Sequence, residues 1–184
     1  MTGTVRRVVT GNDANGKAVI VCDGEALNIF RPPQRPGTVI NTLWAINSLP
    51  AKLDGFRETV DRQIPIEPPL HGCSFRINEY PPEAGWIGNI DRAAAQANFT
   101  AMGAAHAADS SEKPRHPLMH RTQSLDFAIV LSGDIYLVLD ESETLLKAGD
   151  TVIQCGTNHA WSNRSDKPCR MAFIMLGAEW PAGR

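Results

Sequence analysis

His120-Arg121-Thr122-Gln123-Ser124-Leu125-Asp126, followed after six residues by Gly133, is the first of two glycine-punctuated β stretches that carry one histidine each. The second runs Gly149-Asp150-Thr151-Val152-Ile153-Gln154-Cys155-Gly156-Thr157-Asn158-His159 and, after three more residues, reaches Asn163. Side chains alternate faces along a strand, so residues of equal parity share a face. An unbulged strand therefore aims His120, Thr122 and Asp126 at one interior. If the second stretch folds back across that interior, His159 joins them. Two imidazoles and one carboxylate converging inside a barrel would make a metal site.

Outward from this pair, β signals dominate the C-terminal third. Residues 127–131, 135–139, 144–146, 151–154, 160–162 and 169–176 read as short strands separated by Gly-Asp, Asp-Glu and Ser-Asp turns. Strands this short, with turns at such regular intervals, indicate a sandwich or barrel rather than an α/β fold. Residues 6–10 and 17–22 read as a hairpin around the Gly11-Asn12-Asp13-Ala14-Asn15-Gly16 linker. The run Arg31-Pro32-Pro33-Gln34-Arg35-Pro36-Gly37 belongs in a loop, because proline is excluded from helix interiors and central strands. Residues 38–47 suit a strand or a short helix. Residues 73–80 alternate as a strand, with Phe75, Ile77 and Glu79 on one face and Arg76 and Asn78 on the other. Asp91 is suited to cap a helix over 92–107, followed by a polar connector at 109–114. Segment 83–115 reads as an insertion or lid leading into His120. Residues 1–70 are expected to form strands and loops that pack on the barrel or on a dimer partner. Residues 71–184 form the barrel with its insertion, in one compact domain overall.

Composition narrows the function. A formal net charge of −2, with 42% hydrophobic and 21% charged residues, is that of an ordinary globular protein. It gives no basic footprint for nucleic acid or for an anionic membrane. No apolar run approaches the roughly 20 residues that span a bilayer. The first eleven residues hold no signal-peptide core, so a cytoplasmic location is expected. Cys22, Cys73, Cys155 and Cys169 form no CxxC pair and are expected as free thiols.

On these residues the chain resembles the cupin superfamily, whose double-stranded β-helix is a jelly-roll barrel. The first motif of that family runs His-x-His, three or four residues, Glu, six residues, Gly. Here it is matched by His120, Thr122, Asp126 and Gly133. The second motif is matched by Gly149, Gly156, His159 and Asn163, with one residue fewer before the second glycine and Gln154 where proline is usual. The fold expected is thus mainly β: a cupin barrel with N-terminal strands and a short helical insertion. The N-terminal part looks similar to small single-domain cupins, some of them encoded near secondary-metabolite genes.

The departures shape the functional expectation. Metal-bearing cupins use three histidines and a glutamate. Carried over position by position, His120, Asp126 and His159 remain, the composition of a two-His-one-carboxylate site with open positions for substrate or O₂. The resemblance thus implies a metal-dependent enzyme holding Fe, Mn, Ni or Zn. It would be a dioxygenase or decarboxylase acting on an organic acid or aromatic metabolite, with Trp161 shaping the pocket. Thr122 could ligate weakly or hold a water, and Gln123 and Gln154 are reserve ligands. A second reading is a metal-free isomerase or epimerase in which Asp126 holds His120 in one tautomer as a general base. A third is a non-enzymatic metabolite-binding module. Arg76 and Arg170 could bind a substrate carboxylate, or stand as solvated strand-face charges. His71, His106 and His116 read as ordinary core or surface residues, and Cys155 lacks a basic neighbour to activate it. A homodimer is expected, its N-terminal strands extending a sheet across a two-fold axis.

Overall fold

The structure, a computed structural model, describes residues 3–53 and 55–181. Eleven strands and one α-helix follow in the order β1 (Arg6–Asn12), β2 (Ala18–Glu25), β3 (Asn28–Phe30), β4 (Val39–Ile46), β5 (Cys73–Tyr80), α1 (Arg92–Ala101), β6 (Ser124–Ser132), β7 (Asp134–Leu139), β8 (Glu143–Lys147), β9 (Thr151–Cys155), β10 (His159–Ser162) and β11 (Cys169–Gly177). Their antiparallel pairings build a six-stranded sheet, β3-β4-β5-β11-β6-β9, and a facing three-stranded sheet, β10-β7-β8. Apart from the β7–β8 hairpin, successive C-terminal strands pass between the two sheets, the jelly-roll arrangement expected from the turn spacing.

The two inner faces meet in one apolar core. Ala128 and Val130 point in from β6, Ile135 and Leu137 from β7, and Met171 and Phe173 from β11, all at alternating positions. Gly133 makes the tight β6–β7 turn at φ 75°, and a Cβ there would lie 2.7 Å from the Pro168 carbonyl oxygen. Only glycine meets both demands. The motif's Asn163 is also structural: its amide donates to the carbonyls of Tyr80 and Lys167, each at 2.8 Å, and fixes the β10–β11 loop against the end of β5.

Residues 39–46 settle as a strand. Five consecutive residues of β4, from Val39 to Leu43, are buried on both faces, and a strand covered on both sides shows no alternation to read. Strand β3 has three residues, too few to carry a periodic signal. The helix expected over 92–107 ends earlier. Asp91 caps it by accepting from the Ala94 amide at 2.7 Å, but Gly103 at φ 74° turns the chain away, and 105–107 form a separate 3₁₀ turn. Helix α1 covers one end of the barrel with Ala95, Phe99 and Met102, packed on Ile40 and Leu118.

The β1–β2 hairpin forms a sheet of its own and leaves Val8, Val19 and Ile20 exposed. The buried Arg7 of β1 ties it to the rest of the chain, through an ion pair with Glu58 at 2.6 Å and a hydrogen bond to the Leu43 carbonyl at 3.1 Å. No helix among the described residues is long and apolar enough to cross a membrane.

Candidate functional site

The cavity lies between the two sheets, under α1. His120, Thr122, Asp126, His159 and Trp161 all line it, as parity required. The route differs from the single strand expected: β6 begins at Ser124, and His120 stands before it on an isolated bridge to His159. The two residues exchange both backbone hydrogen bonds, at 2.8 and 2.9 Å, which sets their side chains directly opposite. Their imidazole centroids are 4.3 Å apart. Ring contacts continue in both directions, from His120 to Phe99 at 4.8 Å, from His159 to Trp161 at 5.7 Å and from Trp161 to Phe173 at 5.5 Å. The enclosed volume is about 40 Å³, room for roughly three water molecules.

Both imidazoles are held in the same way. Nδ1 of His120 lies 3.1 Å from the Leu118 carbonyl oxygen, and Nδ1 of His159 lies 2.9 Å from that of Thr157. A carbonyl only accepts, so Nδ1 carries the proton and donates in each ring, leaving the Nε2 lone pair free. Burial pushes the His159 imidazole down to about 4. Burial, together with the neighbouring His159, holds His120 well below the usual histidine range. Both rings are neutral at physiological pH.

Asp126 is 4% exposed, and its Oδ1 has no hydrogen-bond partner. Burial raises its carboxyl to about 6, while Ser124 and the Arg76 charge act in the opposite direction. The expectation that Asp126 fixes the His120 tautomer is corrected here: the Leu118 carbonyl does so. Thr122 is buried and accepts a hydrogen bond from Ser124 at 2.9 Å. Neither reserve ligand lines the cavity. Gln154 spends its amide on Thr157, and the Gln123 backbone amide donates to the Glu67 carboxylate at 2.8 Å.

A three-ligand metal site is not assembled. Among the described residues, no three His, Cys, Asp or Glu side chains gather closely enough to hold one ion. The two imidazoles meet, but Asp126 does not close on them, so the residues as placed do not fit the two-His-one-carboxylate set.

Two arginines complete the lining. Arg76, on the same face of β5 as Asn78, is 3% exposed, which corrects the reading of a solvated strand-face charge. One of its terminal nitrogens donates to the Pro65 carbonyl, and its Nε has no partner. Burial pushes the guanidinium down to about 10, opposed by the Asp126 charge, so it stays cationic at neutral pH. Arg35, from the proline-rich loop, is 8% exposed, sits over the Tyr80 ring at 5.4 Å and likewise has an unpartnered Nε. No periodicity marks Arg35, since it lies in a loop. The parity of β5 could have pointed to Arg76. Arg170 lies off the cavity, 3.9 Å from Glu79.

Beside the cavity, Glu83 and His116 bracket the insertion and meet in a buried pair at 3.2 Å. Ser162 of β10 also donates to Glu83, at 2.5 Å. Burial pushes the Glu83 carboxyl up, but hydrogen bonds from His116 and Ser162 and the nearby positive charges outweigh it, leaving a lowered value. His116 is thus a satisfied core histidine that fastens the insertion. His71 and His106 are exposed, as is Cys155.

Antiparallel strands shared between two sheets around a histidine-lined cavity define a jelly-roll barrel. Residues 107–175 match the family model described as a cupin domain. Phomopsin biosynthesis cluster protein D of Diaporthe leptostromiformis is 53% identical over 64 residues, which are 34% of this chain and 34% of that protein. The match thus spans about a third of that relative's length. A cupin-domain-containing oxidoreductase of Aspergillus ruber is 25% identical over 179 residues, 94% of this chain and 72% of that one. Among solved structures, a putative ethanolamine utilization protein of Salmonella typhimurium is similar at 9% identity and TM-score 0.45, over 96% of this chain and 98% of that chain.

Proposed function

We propose that this chain is a small-molecule enzyme of the cupin type whose chemistry is proton transfer on a carbonyl-bearing metabolite inside the barrel. The observation that carries the reading is the convergence of His120, His159 and an unpartnered Asp126 oxygen on one enclosed, ring-lined cavity. The name of the Aspergillus ruber relative supports an enzyme in this family.

Each residue has a role it can perform as placed. The Nε2 atoms of His120 and His159 accept hydrogen bonds and orient the substrate. Phe99, Trp161 and Phe173 exclude water and lower the local dielectric. Asp126 takes a proton from the substrate, or returns one, at its free oxygen. A carboxyl raised towards neutrality suits both directions. Enolisation, isomerisation and decarboxylation of an oxo compound all use such a step.

A metal-dependent dioxygenase or decarboxylase is the second reading, and one observation favours it. Both imidazoles give Nδ1–H to a backbone carbonyl and keep Nε2 free, the outer-sphere anchoring common among metal-bound histidines. Fe, Mn, Ni and Zn all accept such nitrogens, and the oxidoreductase name of the relative would follow most directly from this reading. The third ligand is what the arrangement lacks.

The test is deuterium exchange at carbon next to the carbonyl group of small oxo compounds in D₂O, followed by proton NMR. Wild-type protein is expected to accelerate exchange, and Asp126→Asn to lose about 100-fold or more of that rate. Equal rates for the two proteins would contradict the role of Asp126.

A further inference from the structure

We infer that the cavity binds its ligand as an anion, with Arg35 and Arg76 forming a cradle for the carboxylate of a short 2-oxo or 2-hydroxy acid. This rests on the proposed function and names the substrate class for the same site.

Burying a guanidinium is unfavourable unless it is paired and hydrogen-bonded. Arg35 and Arg76 are both more than nine-tenths buried and line the same cavity. Among the described residues, neither has a carboxylate within ion-pair distance. Each keeps an Nε–H with no acceptor. Arg76 faces the charge of Asp126, and Arg35 that of Glu83 beside the neutral Tyr80 hydroxyl, without a salt bridge to either carboxylate. Two unspent cationic donors in an enclosed space call for an anion, and the planar guanidinium fork matches a carboxylate.

The remaining unpaired groups specify the rest of the ligand. Oδ1 of Asp126 and Nε2 of both histidines can each accept a hydrogen bond. A hydroxyl, or the enol of an oxo group, beside the carboxylate supplies the missing donor. A simple alkyl acid would leave these acceptors unsatisfied, which is costly in a buried site. The small volume of about 40 Å³ favours a short acid over a long one.

Calorimetric titration of the full chain with glycolate and pyruvate, against the neutral isostere glycolamide, tests the inference. Glycolate or pyruvate is expected to bind about 30-fold or more tightly than glycolamide, and Arg76→Met to lose a similar factor. Arg76→Met without ligand is expected to unfold at the same temperature as wild type or higher, because it removes a buried unpaired charge. A purely structural arginine would give the reverse pattern, with lowered stability and unchanged binding. Arg35→Met is expected to weaken glycolate binding in the same way. Glycolamide binding as tightly as glycolate, wild-type affinity in both arginine variants, or binding of neither acid to wild type would each overturn the carboxylate cradle. The exchange role of Asp126 would then stand or fall on its own assay.

Discussion

At the scale of single residues, Asp126 shows how far the spacing of a motif can be read. Its count from His120 placed it on the cavity, and it lines that cavity. What spacing could not show is the identity of its neighbours. The Leu118 carbonyl took the tautomer-holding role expected of it, and Arg76, 50 positions earlier in the chain, became the nearby charge. The carboxyl is raised from 3.8 to about 6 in the folded protein, so the folded state holds its proton more tightly than the unfolded state between those values. Ionising Asp126 therefore costs stability. The cost is full above about pH 6, shrinks as pH falls towards 3.8 and vanishes below it, amounting to about 3 kcal/mol at neutral pH. Asp126→Asn is expected to raise stability by up to about 3 kcal/mol in denaturant unfolding at pH 7. The gain should be absent at pH 3.5. An equal effect at both pH values would show that burial of the charge is not its source.

At the scale of elements, the insertion is anchored at its base by a buried polar pair. Glu83 stands before it and His116 after it, and their pair is buried together with Ser162 of β10. The segment between carries α1, whose Phe99 covers His120. Glu83→Ala removes one partner of a buried pair and is expected to lower stability by about 3 kcal/mol or more, measured by urea unfolding. The Glu83 carboxyl is held below its ordinary 4.5, so its contribution is present above that value and is lost as pH falls through and below it. The penalty of Glu83→Ala should therefore shrink on acidification. Sequence reading found this segment through its alanine-rich helix and the Asp91 cap, both local signals. It missed the early stop at Gly103, because glycine inside an apolar helical pattern reads as tolerated. It also missed the Glu83–His116 pair, since a contact over 33 positions leaves no periodic trace.

At the scale of the whole molecule, the barrel was legible where its strands alternate and its turns recur, from β6 to β11. Half-buried strands announce their faces, and glycines such as Gly133 mark obligatory turns. The N-terminal half was less legible, because β4 is covered on both faces and β3 is short. That half nonetheless supplies Arg35 and Arg76 to the cavity, so the site is built from two regions of which only one carries a motif. The central claim is that protein side chains perform the proton transfer in this cavity without a bound ion. The most direct test is to measure deuterium exchange before and after exhaustive chelation, with the metal content of both samples determined by elemental analysis. The account predicts that the chelated, metal-free protein keeps its full exchange rate and that Asp126→Asn lacks it. Activity lost on chelation and restored by one equivalent of a single divalent metal would contradict the account and establish the metalloenzyme reading in its place.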